Sequence, residues 1–341
     1  MTFLSRFLTT LVFLLACLTG GALFVHIFTG SPIPAPVRSR AMTRSLPVDT
    51  SVPMIAPVLS RFSLLPVLTG EKPLVAVVIE NHPTARPHQR GLQDALLIEE
   101  FFVEGYISRF AAIFDARRLP PLLGPVRSLR PYFIDALVPL VHVILHAGGS
   151  PEAFERVRSD SSITAINGLK YSKEFFRDDS VPAPHNLFTG ALEVSPLLPA
   201  EITPASWPPY ATGMAQTGEP AVRVSVNFYN PDNDVAYTYD PQTWRYIRKN
   251  GEEVSDAQPS NVLLLEIPVA GEGEAGRLQI PVAGEGRAFL FRSGVEIEGT
   301  WKKYGPQAWF VFTDHFGHPM VFARGQTWMT VVDRLERVKW E

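Results

Sequence analysis

The hydrophobic pattern divides the chain into stretches of different character. From Phe7 to Phe28 no residue carries a formal charge at neutral pH, and a helix rising ~1.5 Å per residue over that length would cross a hydrocarbon core of roughly 30 Å. Residues 1–30 are therefore read as a membrane anchor or signal segment. Residues 31–63 read as a stalk, because Pro32, Pro34, Pro36, Pro47, Pro53 and Pro57 favour extended backbone and forbid regular helix.

From 64 to 200 short apolar runs alternate with helical patterns. Leu74 to Ile79, Ile107 to Phe114 and Val141 to Leu145 are too apolar on both faces for a half-exposed strand, so they predict buried strands with helices fitted between them. Ser128 is placed to cap a helix entered through Pro131, and Ser150 to cap another with Pro151 at its first position. The region predicts an α/β domain, a mixed sheet with flanking helices. Residues 201–221 fall in a second proline-rich stretch and read as a linker. From 222 to 341 the pattern turns to β: Val222, Val224, Val226 and Phe228 alternate onto one face, and Asn250-Gly251 and Ser293-Gly294 mark hairpin turns. The repeat Ile-Pro-Val-Ala-Gly-Glu-Gly, at 267–273 and again at 280–286, is too short for a solenoid unit and reads as a local duplication lengthening a hairpin.

Composition narrows the classes. The 341 residues are 46% hydrophobic and 19% charged with a net charge of −3, a globular balance with no lysine or arginine run for nucleic acid. The single cysteine, Cys17, lies in the anchor, so the folded part forms no disulfide or thiolate metal site. Leu14-Leu15-Ala16-Cys17 resembles a lipobox, in which the cysteine would be acylated. Leu18 to Phe28 stays apolar, which favours an uncleaved helix. Arg38, Arg40 and Arg44 outnumber Arg6 around that helix, yet large domains translocate largely regardless of flanking charge.

Familiar motifs fail. Gly271, Gly273 and Gly276 have dinucleotide-loop spacing, but no helix pattern follows and Glu272 and Glu274 would repel a pyrophosphate. His142 and His146 lack a third ligand, and no cofactor or metal is expected. Loops leaving the carboxyl ends of strands are where open α/β sheets bind ligands, and these carry the candidate residues. Glu80 and Asn81 end the first strand; Arg109 opens the second. Arg127, Ser128 and Arg130 precede a helix, His146, Gly148, Gly149 and Ser150 join strand to helix, and His185 with Asn186 lies in a proline-restrained loop. Glycines let backbone amides approach a ligand, and arginines suit a carboxylate, phosphate or acidic sugar. The structural alternative is a capped turn, with Arg127 and Arg130 paired to Glu100, Glu104 or Asp135.

These segments resemble the YerB-like lipoproteins, a bacterial family built on a domain of unknown function (DUF 3048, N- and C-terminal domains). The matching blocks are Ile79-Glu80-Asn81-His82-Pro83 with Ala85-Arg86-Pro87, Val103-Glu104-Gly105 with Arg109-Phe110, and Gly124-Pro125-Val126-Arg127-Ser128 with Arg130-Pro131-Tyr132. His146 to Pro151, Ala183 to Leu187, Gly299 to Lys302 and Gly325 to Trp328 continue it, so the likeness runs from about Leu68 to Val332. It implies an extracytoplasmic, membrane-held protein of two domains with no established activity. Tyr106 stands where the resemblance implies glycine, and the weak lipobox favours a protein anchor over acylation.

Three functions are carried forward. The first is a binding module for a polar or anionic cell-envelope ligand, a glycan or peptidoglycan fragment, held by Arg127, Arg130, Ser150 and the Gly148-Gly149 backbone. The second is a cell-wall hydrolase in which Glu100 or Glu104 and His146 or His185 share acid and base roles. The third is an envelope scaffold docking a protein partner, with Trp301 and Trp328 packing its β domain.

Overall fold

The computed structural model describes residues 70–214, 217–272 and 276–341, so the expected anchor and stalk lie outside the described residues. Among the described residues no helix is long and apolar enough to cross a membrane. Residues 63–341 cluster as one unit.

The apolar run from Leu74 to Ile79 is buried throughout and forms most of β1 (Gly70–Glu80). Beside it lie β2 (Leu97–Phe102), β3 (Ser108–Asp115), β4 (Val143–His146) and β5 (Thr164–Asn167), in the order β2-β3-β1-β4-β5. Strands β1, β4 and β5 run parallel, and β3 is antiparallel to both its neighbours. The same sheet continues into the C-terminal region: Thr327–Val332 pairs parallel with β2, followed by Asn261–Glu266, Gly284–Arg292, Val295–Lys303 and Val311–Asp314. The stretch 201–221, read above as a linker, contributes Pro204–Trp207 against β1 and Glu219–Pro220 against Val295–Glu296. A five-stranded sheet, in the order Glu253–Val254, Arg245–Asn250, Val235–Asp240, Arg223–Val226 and Val338–Trp340, is joined to it by buried polar contacts.

This is a mixed, sheet-rich fold with few helices. Between the first two predicted strands the expected helix is reduced to single 3-10 turns at Arg86–His88 and Leu92–Asp94, and β2 follows them. Its sequence, Leu-Ile-Glu-Glu-Phe-Phe, has two adjacent carboxylates, yet Glu99 and Glu100 are both fully buried. Helices do occur on either side of β4: α1 (Pro131–Leu137) and α2 (Pro151–Ser159). Ser128 does not cap α1. The cap position belongs to Arg130, and the Ser128 hydroxyl donates to Ala147 O at 3.0 Å. Ser150 does cap α2, accepting from Ala153 N at 3.2 Å. Ser150→Ala should therefore cost about 1 kcal/mol, read as a lower urea midpoint with unchanged slope.

In the C-terminal region Ser293 and Gly294, both at positive φ, close a two-residue hairpin between Arg292 and Val295 as the sequence predicts. The other turn shifts by one residue, to Gly251-Glu252, with Asn250 opposite Glu253. Val224, Val226 and Phe228 are buried, whereas Val222 is half exposed. Trp301 and Trp328 belong to the core, their indoles donating to Glu266 O and the Glu100 carboxylate. The first repeat copy supplies Ala270–Glu272, paired with Leu278–Gln279, and the second leads into the Gly284–Arg292 strand.

Candidate functional site

Because β1, β4 and β5 are parallel, their carboxyl ends open on one edge of the sheet, and antiparallel β3 begins there. Glu80 closes β1 with its carboxylate almost wholly buried. Three basic side chains converge on it: Arg127 through Nε, His185 through Nδ1 at 3.0 Å, and Arg109 at 3.9 Å. His82 stacks on His185, ring centroids 4.7 Å apart and planes 16° from parallel. Burial first, then the neighbouring His185, lowers the His82 pKa, so that ring is neutral at neutral pH.

The 127–130 turn collects three guanidinium groups. Arg109 donates to Ser128 O at 2.9 Å while its buried Nε has no partner. Burial, reinforced by the positive charge of Arg130, pushes its pKa down to about 10, which still leaves it cationic. Arg130 clamps Glu104 with two 2.7 Å bonds. Burial opposes ionisation of Glu104, but those bonds and the Arg130 charge hold its carboxyl below the usual range. Arg127 is 28% exposed and touches Glu80 through Nε; its terminal nitrogens make no hydrogen bond among the described residues.

Other candidates serve the scaffold. Glu100 is fully enclosed, accepting from Arg248 at 2.9 Å, Trp328 at 2.7 Å and Thr330 at 3.0 Å. It has no route to a substrate, which corrects its reading as an acid or base. Asn81 donates to Ser108 at 2.7 Å and Asn250 at 2.8 Å, bolting the two sheets together. Buried His146 donates to Gly148 O at 2.6 Å, and burial lowers its pKa. The loop amides expected to face a ligand turn inward: Gly148 N donates to Asn167 Oδ1 and Ser150 N to Leu129 O. Gly149 bridges Leu129, where a Cβ would lie 3.3 Å from the Phe154 ring. Asn186 accepts from Arg177 at 2.6 Å.

The structure thus gathers Glu80, Arg109, Arg127, Ser128 and His185, with Arg130 and Glu104 adjoining. His82, which ends the first predicted strand with Glu80 and Asn81, is not among the residues expected to bind, yet it stacks on His185. Nor does the sequence pattern point to a cavity of ≈340 Å³ bordered by Arg130 and Ser150, whose opposite wall lies more than a hundred residues further along. Among the described residues no group of three His, Cys, Asp or Glu side chains is placed to hold a metal ion.

Comparison with known proteins adds a family. The model described as "Protein of unknown function (DUF3048) N-terminal domain" matches residues 65–201, and the corresponding C-terminal domain model matches residues 224–329. A curated relative, "Putative lipoprotein YerB" of Bacillus subtilis (strain 168), is 30% identical over 286 residues, covering 79% of this chain and 83% of the relative. The crystal structure of the YerB protein from Bacillus subtilis superposes with a TM-score of 0.71 at 29% identity, covering 80% of this chain and 94% of that one.

Proposed function

The chain belongs to the DUF3048 family, and from that premise we propose that it is a membrane-held extracytoplasmic protein that binds an anionic cell-envelope ligand at the Arg127 edge. The naming of the curated relative as a lipoprotein supports the location. One observation carries the ligand class: Arg109, Arg127 and Arg130 crowd one turn against two carboxylates, Glu80 and Glu104, and Arg127 is partly exposed, held to Glu80 through Nε. An anion docking there relieves the repulsion among the guanidiniums and accepts two parallel hydrogen bonds. The imidazoles of His82 and His185 flank the same position.

The test uses the full-length chain in detergent micelles and muropeptide fragments with free carboxylates. The wild type should show a saturable rise in melting temperature, weakened at least tenfold in apparent affinity by Arg127→Ala and reduced at high salt. Equal binding by both proteins would remove the proposal.

A second reading has one observation in its favour. The Glu80 carboxylate holds His185 through Nδ1, leaving Nε2 as a base for hydrolytic chemistry. It requires product release from a cell-wall substrate that disappears in His185→Ala.

A further inference from the structure

The cavity beside Arg130 has features distinct from the arginine cluster. It lies between the first turns of α1 and α2 and the arm Arg277–Pro281, and its ≈340 Å³ would hold about ten waters at their ~30 Å³ liquid share, or an organic ligand of about a dozen heavy atoms. Tyr132, Leu278 and Ile280 give it an apolar wall. Tyr132 offers the cavity only its ring, because its hydroxyl donates to Phe102 O at 2.8 Å.

Four charged side chains border that wall, two of each sign: Arg130 and Arg277, Asp135 and Glu152. Each has an opposite charge in place already. Arg130 is bound to Glu104, Asp135 to Arg156 at 2.8 Å, and Arg277 to Glu152 at 3.4 Å. A ligand of one sign would leave an excess charge in a half-desolvated space, and a wholly apolar one would strip water from these rims without replacing its hydrogen bonds. A ligand carrying both charges extends the pairs into a larger neutral network, its apolar part lying on Tyr132, Leu278 and Ile280.

We propose that this cavity binds a short zwitterionic peptide, its carboxylate toward Arg130 or Arg277, its ammonium toward Glu152 or Asp135, and an aliphatic side chain on the Leu278–Ile280 wall. The cavity borders the arginine cluster through Arg130 but is not lined by Arg127, and the proposal does not require an anion to bind at Arg127.

Calorimetric titration of the full-length chain with the dipeptide Ala-Leu, and with its N-acetylated, C-amidated form, tests this directly. The free dipeptide should saturate at one per chain and the blocked form should bind at least tenfold more weakly. Glu152→Gln, a change at a half-exposed position, should lower affinity for the free dipeptide at least fivefold, Ile280→Trp should abolish binding by filling the space, and Arg127→Ala should leave it unchanged. Equal affinity for free and blocked forms overturns the proposal, as does the absence of saturable binding. Loss in Arg127→Ala with retention in Glu152→Gln also overturns it, by assigning the peptide to the arginine cluster.

Discussion

Arg248→Ala is expected to destabilise the protein by about 3–5 kcal/mol, the usual consequence of leaving a buried charge without its counterion. Arg248 comes from the five-stranded sheet and Glu100 from the centre of the main sheet; both are essentially inaccessible, with Nη2 2.9 Å from the carboxylate. The guanidinium lies 4.2 Å from the Trp328 ring centroid, and Nε donates to the Tyr237 hydroxyl. After the substitution Glu100 keeps Ser108, Trp328 and Thr330 as donors, but it loses its directly paired cation in a low-dielectric interior, leaving Arg86 as a more distant positive charge. Urea unfolding reads the loss as a lower midpoint. The double replacement Glu100→Leu with Arg248→Met removes both charges and should recover most of the stability, giving a large favourable coupling in the double-mutant cycle. Additive losses would show that the pair contributes no mutual stabilisation. A further variant separates structure from chemistry: Glu100→Gln should leave ligand affinity per folded molecule unchanged.

That pair shows why part of the fold was hidden in the sequence. β1 was legible because a strand buried on both faces needs a continuous apolar run, and Leu74 to Ile79 supplies one. The Ser293-Gly294 hairpin and the Ser150 cap were legible because their chemistry is complete within a few residues. β2 was not, since Glu99 and Glu100 interrupt its apolar pattern, and the cation that makes Glu100 tolerable lies 148 residues away. Asn81 likewise meets Asn250 across 169 residues.

The site divides along the same line. Loops at strand ends pointed to Glu80, Arg127 and His185, which do converge. The inward turn of the Gly148 and Ser150 amides depends on Asn167 and Leu129, in other loops. Tyr106 is an intermediate case: the resemblance implies glycine there, and the residue does adopt a left-handed φ of 55°, which costs a non-glycine residue ~1–2 kcal/mol. Its ring, 4.7 Å from Tyr229, offsets part of that through aromatic packing.

Stability is also expected to fall as pH rises from about 4.5 towards 8, opposite to the usual behaviour of a salt-bridged carboxylate. The largest contribution comes from Glu99, fully buried, with no hydrogen-bond partner for either carboxylate oxygen; Glu296, which burial pushes up to about 7, acts in the same direction. Burial pushes the Glu99 pKa up to about 8, with the Lys303 charge acting the other way. Its unfolded pKa is near 4.5. The stabilisation from keeping Glu99 protonated is therefore complete below that value and is lost as pH climbs through the folded pKa. Between pH 4.5 and 7 the loss amounts to about 3 kcal/mol, at 1.36 kcal/mol per pH unit.

Lys303 has the opposite sign. Burial lowers its pKa to about 8, so the cost of charging it in the fold is relieved as pH rises from 8 towards 10.5, and the combined curve has its minimum near pH 8. His82 and His146, whose pKa values burial lowers, add stability as pH rises towards about 6.5 and over that range partly mask the Glu99 slope. Comparison with Glu99→Gln isolates it: urea unfolding free energies of the wild type relative to the variant should decline by about 1.4 kcal/mol per unit between pH 5.5 and 7.5. Parallel curves would mean that Glu99 ionises in the folded protein at an ordinary pH, with solvent or a counterion reaching it.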